Sequence, residues 1–304
     1  MQLISPKSKA AGRHKTVLKK TGARFAWGVV RAVIVLGLCY VVLYPYFIKG
    51  VNAFKSYSDF IDPTVRFIPK HPTLDNLRLV MERIDYWNTV WRTAALSTLV
   101  ALITVLVSSL IAYGLARFSF KGKNLLFFAV ILTMIIPPQT VIIPLYLRFQ
   151  NFAGFLYLLD TPFPIVILVS TGLGLKNGLF IFMLRQYFRN LPKELEEAAC
   201  LDGCGVLGTY LRIVLPSSRV MLITVFLLAF SWQWTDMVYN PLFLREIPIF
   251  SNIFVLAGAG GVEPVVSANM TSTAALLSVL PLAVLYVAAQ NFFVQSVERS
   301  GIVG

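Results

Sequence analysis

Long apolar runs separated by short polar stretches set the pattern of this chain. Residues 27–48 hold 22 positions with one charge, Arg31, near one end. At 1.5 Å per residue that is about 33 Å of helix, enough to cross a bilayer. Comparable runs follow at 88–115, 125–147, 162–182, 219–239 and 271–294. The pattern predicts an all-α integral membrane fold of six transmembrane helices. The second run carries small residues (Ala94, Ala95, Ser97, Ala101, Ser108, Ser109, Ala112, Gly114) that permit close helix packing. Pro137, Pro138 and Pro144 break the third, which a membrane tolerates only where protein or a water-filled cavity satisfies the freed backbone. The fourth contains Gly172, Gly174, Lys176, Asn177 and Gly178.

The polar stretches differ from one another. Residues 1–24 form a basic segment, read as a flexible cytosolic tail ahead of a single transmembrane domain over 25–304. The apolar run that follows is too long for the core of a cleavable signal peptide. Residues 49–87 are mixed in charge and predict a short interfacial helix over 72–77 with Thr73 as its N-cap. A loop at 241–270 contains Gly258, Gly260 and Gly261. The loop 190–216, NLPKELEEAACLDGCGVLGTYLRIVLP, is a polar island that predicts two short helices joined by a glycine turn. Pro192 suits the first turn of the first helix. Glu194, Glu196 and Glu197 set negative charge at the positive end of its dipole. Ala198 and Ala199 leave a bare backbone that a partner can approach, and Gly203 and Gly205 stop the helix. A second helix through Tyr210 and Ile213 ends at Leu215 and Pro216.

Composition sharpens this picture. Of 304 residues, 57% are hydrophobic and 13% charged, about half the charged share of a soluble domain. The net charge of +13 fits nucleic acid in magnitude but not in placement. With the N-terminus inside, cytosolic segments hold sixteen Lys and Arg and external ones eight, so both termini and the 190–216 loop are expected in the cytosol. The basic excess is therefore topological and favours anionic lipid. Cys39, Cys200 and Cys204 give no disulfide framework and no metal set; His14 and His71 are read as solvated. No catalytic constellation is present, and no G-x-x-x-x-G-K-[ST] phosphate loop. Any ATP-driven work would need another chain.

Glu197-Ala198-Ala199, then Gly203, then Ile213-Val214-Leu215-Pro216 resembles the EAA loop of binding-protein-dependent ABC importer permeases. The run from Leu184-Arg185-Gln186-Tyr187-Phe188 into that loop, the Ile143-Pro144-Leu145-Tyr146 stretch and Phe230-Ser231-Trp232-Gln233-Trp234-Thr235-Asp236 are similar to the smaller six-span permease of maltose-type sugar importers. The resemblance covers residues 25–304 and implies the type I importer permease fold in a bacterial inner membrane. It implies that Glu194, Glu197, Ala198, Ala199, Asp202, Gly203, Ile213 and Pro216 couple to a separate ATPase, which binds the ATP and Mg, with no cofactor in this chain. The implied partners are a second permease, two ATPase copies and an external substrate-binding protein, with a saccharide as cargo. An amino-acid or peptide importer and a secondary transporter are the rival readings.

Two groups are path candidates. Trp232, Gln233, Asp236 and Tyr239, with Trp234 and Asn240, suit a sugar ring but equally an interfacial aromatic belt. Lys176 with Asn177 is an intramembrane cation, which ordinarily faces the bundle interior or water. It either favours an acidic saccharide or pairs with a partner-subunit carboxylate or helix carbonyls.

Overall fold

The computed structural model describes the backbone of residues 6–245, 249–250 and 264–301, with side chains over 24, 26–245, 249–250 and 269–290. It forms two compact units, Met1–Leu74 and Asp75–Gly304. The first unit is built on α1 (Pro6–Ala53), so the basic segment expected as a flexible tail is helical from Pro6 onward. In the most apolar 18 residues of Ala26–Ala53 none is buried, and Trp27, Leu36 and Val41 point outward for lipid or another chain to cover.

A polar clasp follows, around α2 (Tyr57–Ile61). The buried Lys55 ammonium donates to the Val65 carbonyl at 3.0 Å. Asp59 accepts from the His71 backbone at 2.9 Å, and its other oxygen lies 3.3 Å from His71 Nδ1. His71 is exposed as expected but not unpartnered. Asp62 accepts from Lys70 at 2.6 Å and from Thr64 N–H and Oγ1. Burial of Asp59 opposes its ionisation, yet the His71 backbone and ring outweigh it and hold the carboxyl below its ordinary value. Lys70, then Thr64, lower that of Asp62 further. The Thr73 N–H bonds back to the Phe54 carbonyl at 2.9 Å.

The second unit opens with α3 (Asp75–Arg83), which starts later and runs longer than the predicted interfacial helix. Its centre is α4 (Tyr86–Arg117). Thr89, Thr93, Ser97, Ala101, Thr104, Ser108 and Ala112 recur every three or four positions and are all buried. This narrow face lets α8 (Asn177–Asn190) and α12 (Arg219–Trp234) pack closely on α4. Thr93 Oγ1 returns its proton to the Thr89 carbonyl at 2.7 Å and Thr224 bonds Val220 at 2.9 Å, so these hydroxyls are not left bare in the apolar layer. The last helix, α14 (Pro264–Gly301), is tied on by Tyr86 Oη to the Leu277 carbonyl and Trp234 Nε1 to the Ser278 carbonyl.

Three helices, Ala26–Ala53, Tyr86–Arg117 and Asn269–Gln290, are long and apolar enough to cross a membrane unbroken. Two bent pairs raise the number to five among the described residues. The expected third span is α5 (Lys123–Ile135), a 3-10 turn at Pro138–Val141 and α6 (Ile142–Gln150), with a 97° bend. Pro137 and Pro138 make that break, whereas Pro144 sits harmlessly in the first turn of α6. The expected fourth span, 162–182, is not one helix. It divides into α7 (Phe163–Ser170) and α8, which continues to Asn190. Gly172, at φ +76°, ends α7: its N–H reaches Val169 and that of Leu173 reaches Leu168, the paired bonds of a Schellman stop. The expected fifth span ends at Trp234, before a turn and α13 (Tyr239–Phe243). The glycine loop with Gly258, Gly260 and Gly261 lies outside the described residues.

Candidate functional site: the acidic loop and the broken-helix cavity

The 190–216 loop folds as α9 (Glu194–Leu201), α10 (Val206–Thr209), a π turn at Tyr210–Val214 and α11 (Leu215–Ser217). Lys193 is the N-cap of α9, so Pro192 lies just ahead of the helix and not in its first turn. Gly203, at φ +79°, ends α9, with its N–H on Cys200 and that of Cys204 on Ala199. A Cβ at Gly203 would meet nothing within 4 Å, so the backbone angle and not crowding calls for glycine. Gly205 is extended and begins α10; it is no part of the stop. Pro216 has no N–H to offer the Arg212 carbonyl, and the preceding turn widens, with Leu215 N–H on Tyr210. The chain then bends 79° into α12.

This knob has an outer and an inner face. Outside lie Glu194, Leu195, Glu197, Ala198, Cys200, Leu201, Asp202, Val206, Leu207 and Leu211, with Leu201 89% exposed. The alanine pair divides, since Ala198 is exposed and Ala199 buried. Ile213 is half-buried and Pro216 exposed. All three cysteines are free, Cys39 and Cys200 exposed.

The inner face makes contacts the sequence alone did not single out. Glu196 forms an ion pair with Arg117 at the end of α4, a charge contact without in-line hydrogen-bond geometry. Its second oxygen accepts from Tyr113 Oη at 3.3 Å, and Arg117 Nη2 donates to the Leu191 carbonyl at 2.9 Å. Tyr210 meets Ser109 through their hydroxyls at 2.6 Å and packs on Tyr113 with ring centres 5.1 Å apart. Arg185, on α8, donates to the Leu115 carbonyl and lies 3.7 Å above the Phe127 ring. The knob is thus bolted to α4, and α4 to α8. The available signal was a basic residue closing α4 and an acid inside α9.

At the other end of α12 the path candidates separate. Asp236 is buried and accepts backbone N–H bonds from Val238, Tyr239 and Asn240 at 2.9–3.2 Å, which caps α13. Gln233 Nε2 donates to Asn240 Oδ1 at 2.7 Å, and Asn240 Nδ2 returns to the Gln233 carbonyl. The second bond goes to the Gln233 backbone, so the pair ties the end of α12 to α13. Asn177 is fully buried, its Nδ2 on the Val169 carbonyl at 3.3 Å. Lys176 is not within a helix: it is the left-handed N-cap of α8, φ +64°. Its Nζ lies 5.9 Å from the Trp232 ring centre. Lys176 and Tyr239 line one cavity of about 330 Å³ together with Thr133, Ile136, Pro138 and Val141 from around the break in the third span.

An all-helical membrane chain with interrupted spans around a cavity, and an acidic helical knob at one end, defines a membrane transport subunit. The chain belongs to the family of binding-protein-dependent transport system inner membrane components, whose pattern it matches over residues 104–299. It is a multi-pass inner-membrane permease of an ABC importer, a non-catalytic subunit whose ATPase is a separate chain. It is 28% identical to the melibiose/raffinose/stachyose import permease MelC of Bacillus subtilis, over 86% of this chain and 91% of that one. It is 28% identical to the arabinooligosaccharide permease AraQ of Halalkalibacterium halodurans, over 79% and 83%. A solved bacterial ABC transporter involved in import of the acidic polysaccharide alginate shares the fold, with a TM-score of 0.69, 20% identity and coverage of 96% of this chain and 100% of that chain.

Proposed function

We propose that this chain is one of two permease subunits of an ATP-driven oligosaccharide importer, working with two ATPase copies and an external binding protein. Both termini face the cytosol, as does the loop 190–216. Glu194, Glu197, Ala198, Asp202 and Gly203 lie on the part of the knob that enters the ATPase cleft, while Ala199, Ile213 and Pro216 shape its base. The observation that carries this reading is the division of the knob. Its outer face leaves Leu195, Leu201, Val206 and Leu207 in solvent, a cost that a docked partner removes. Its inner face is fixed to α4 through Glu196 and Arg117. A push on the knob therefore reaches α4, and with it α8, whose other end bounds the Lys176 cavity. The sugar relatives MelC and AraQ supply the cargo class.

Purification in mild detergent tests this. A nucleotide-binding chain should copurify, and reconstituted vesicles should take up an oligosaccharide only with ATP and the binding protein. Uptake that follows an ion gradient without ATP would support a secondary transporter instead. Gly203→Asp adds a separate check: it places a charged residue in a left-handed turn on the docking face, and transport should fall relative to ATP hydrolysis.

A further inference from the structure

We propose that the cavity at the α7–α8 break is an anion-selecting subsite, in which Lys176 receives the carboxylate of a uronate-bearing saccharide. The inference rests on the importer reading and names the cargo more closely. Lys176 is the sole charged residue among those lining this cavity, whose other walls are Thr133, aliphatic side chains, glycines and the Tyr239 ring. Its volume of about 330 Å³ falls within the usual range for ligand pockets, roughly 300–1,000 Å³. Lys176 forms no ion pair with any acid among the described residues, so none of those residues neutralises its charge. The Trp232 face holds the ammonium in place without cancelling its charge. The 14-residue α8 adds the positive end of its dipole at the same point.

The backbone keeps Lys176 there. A left-handed conformation costs a side-chain-bearing residue about 1–2 kcal/mol, so packing must hold it. Gly174 supplies part of that packing, since a Cβ there would come within 2.5 Å of Val169 Cγ2 and 2.8 Å of Asn177 Oδ1. Gly178 lets α5 close in, because its Cβ would stand 2.9 Å from the Val130 carbonyl. Two tight glycines thus fix a cation beside the third-span break.

The test uses the complete transporter in proteoliposomes of neutral lipid, with ATP inside. Uptake of a galacturonate trisaccharide is compared with that of the galactose trisaccharide of the same linkage. Lys176→Gln should lower uptake of the acidic sugar about tenfold, the scale of one charge-assisted hydrogen bond, and leave the neutral sugar within about twofold. Lys176→Arg should retain the acidic sugar. Equal loss of both sugars, or no loss of either, overturns the subsite. So does an effect that follows added phosphatidylglycerol and not the charge of the sugar. Wild-type uptake of the neutral sugar alone overturns the subsite but keeps the importer, whereas uptake of neither, with ATP hydrolysed, overturns the sugar reading beneath it.

Discussion

Replacing Glu196 with glutamine keeps the shape of the knob and removes the charge that holds it to α4. Arg117 is 8% exposed and Glu196 19%, so the pair is mostly shielded. Stripping one partner from a fully buried pair costs about 3–5 kcal/mol, whereas an exposed pair is worth about 0–1. Arg117 keeps its bond to the Leu191 carbonyl, and the new amide can still accept from Tyr113. An intermediate cost of roughly 2 kcal/mol follows, a shift of about 30-fold in the equilibrium between a fixed and a loose knob. ATP hydrolysis and uptake would be measured in the same proteoliposomes. Hydrolysis should persist while sugar moved per ATP falls several-fold. Tyr113→Phe, which loses one 3.3 Å bond, should have a smaller effect in the same direction. The charge-reversed double variant Arg117→Glu with Glu196→Arg should recover part of the loss. Unchanged sugar moved per ATP in Glu196→Gln would refute the idea that this pair transmits force.

Three further outcomes are expected. Gly178→Ala should lower the melting temperature of the detergent-solubilised complex, because the added methyl forces α5 off α8 at an overpacking cost of about 1–3 kcal/mol; an unchanged melting curve would contradict that close approach. The Asp59 and Asp62 carboxyls sit below their ordinary value of 3.8, so the clasp is at full strength above it and weakens only as pH falls further. Protection factors of its amides, taken against the intrinsic exchange rate at each pH, should therefore be steady from pH 7 to about 5, with the acid-side opening reduced to the Asp59 share in an Asp62→Asn variant. Asp236→Ala should increase proteolysis near Tyr239 because α13 loses its cap, while Asp236→Ser should be milder; a transport defect with no change in proteolysis would return Asp236 to the path.

How legible the chain was depends on how local each signal is. The knob was readable because its glycine stop and its proline act within a few residues of themselves. The bend of the third span was readable for the same reason, since Pro137 and Pro138 cannot continue α5. The fourth-span break was not. Gly172, Gly174 and Lys176 can all sit in an apolar helix, and the left-handed turn exists because Val169, Asn177 and α5 pack around it. The Arg117–Glu196 pair joins residues far apart in sequence, and no spacing rule brings them together. Asp236 was read for its aromatic neighbours, whereas its place just ahead of Tyr239 and Asn240 is that of a helix cap. Polar residues near a membrane surface invite a functional reading, and three backbone N–H groups had the stronger demand on this one.

Labelling of Cys200 tests the central claim most directly, because it is exposed on the outer face of the knob beside Leu201. With Cys39 and Cys204 changed to serine, a membrane-impermeant maleimide should modify the chain in inside-out vesicles and not in right-side-out ones. Modification should fall when the nucleotide-binding chain is present and return when that chain is stripped away. Labelling from the outer side, or labelling indifferent to the nucleotide-binding chain, would contradict the account.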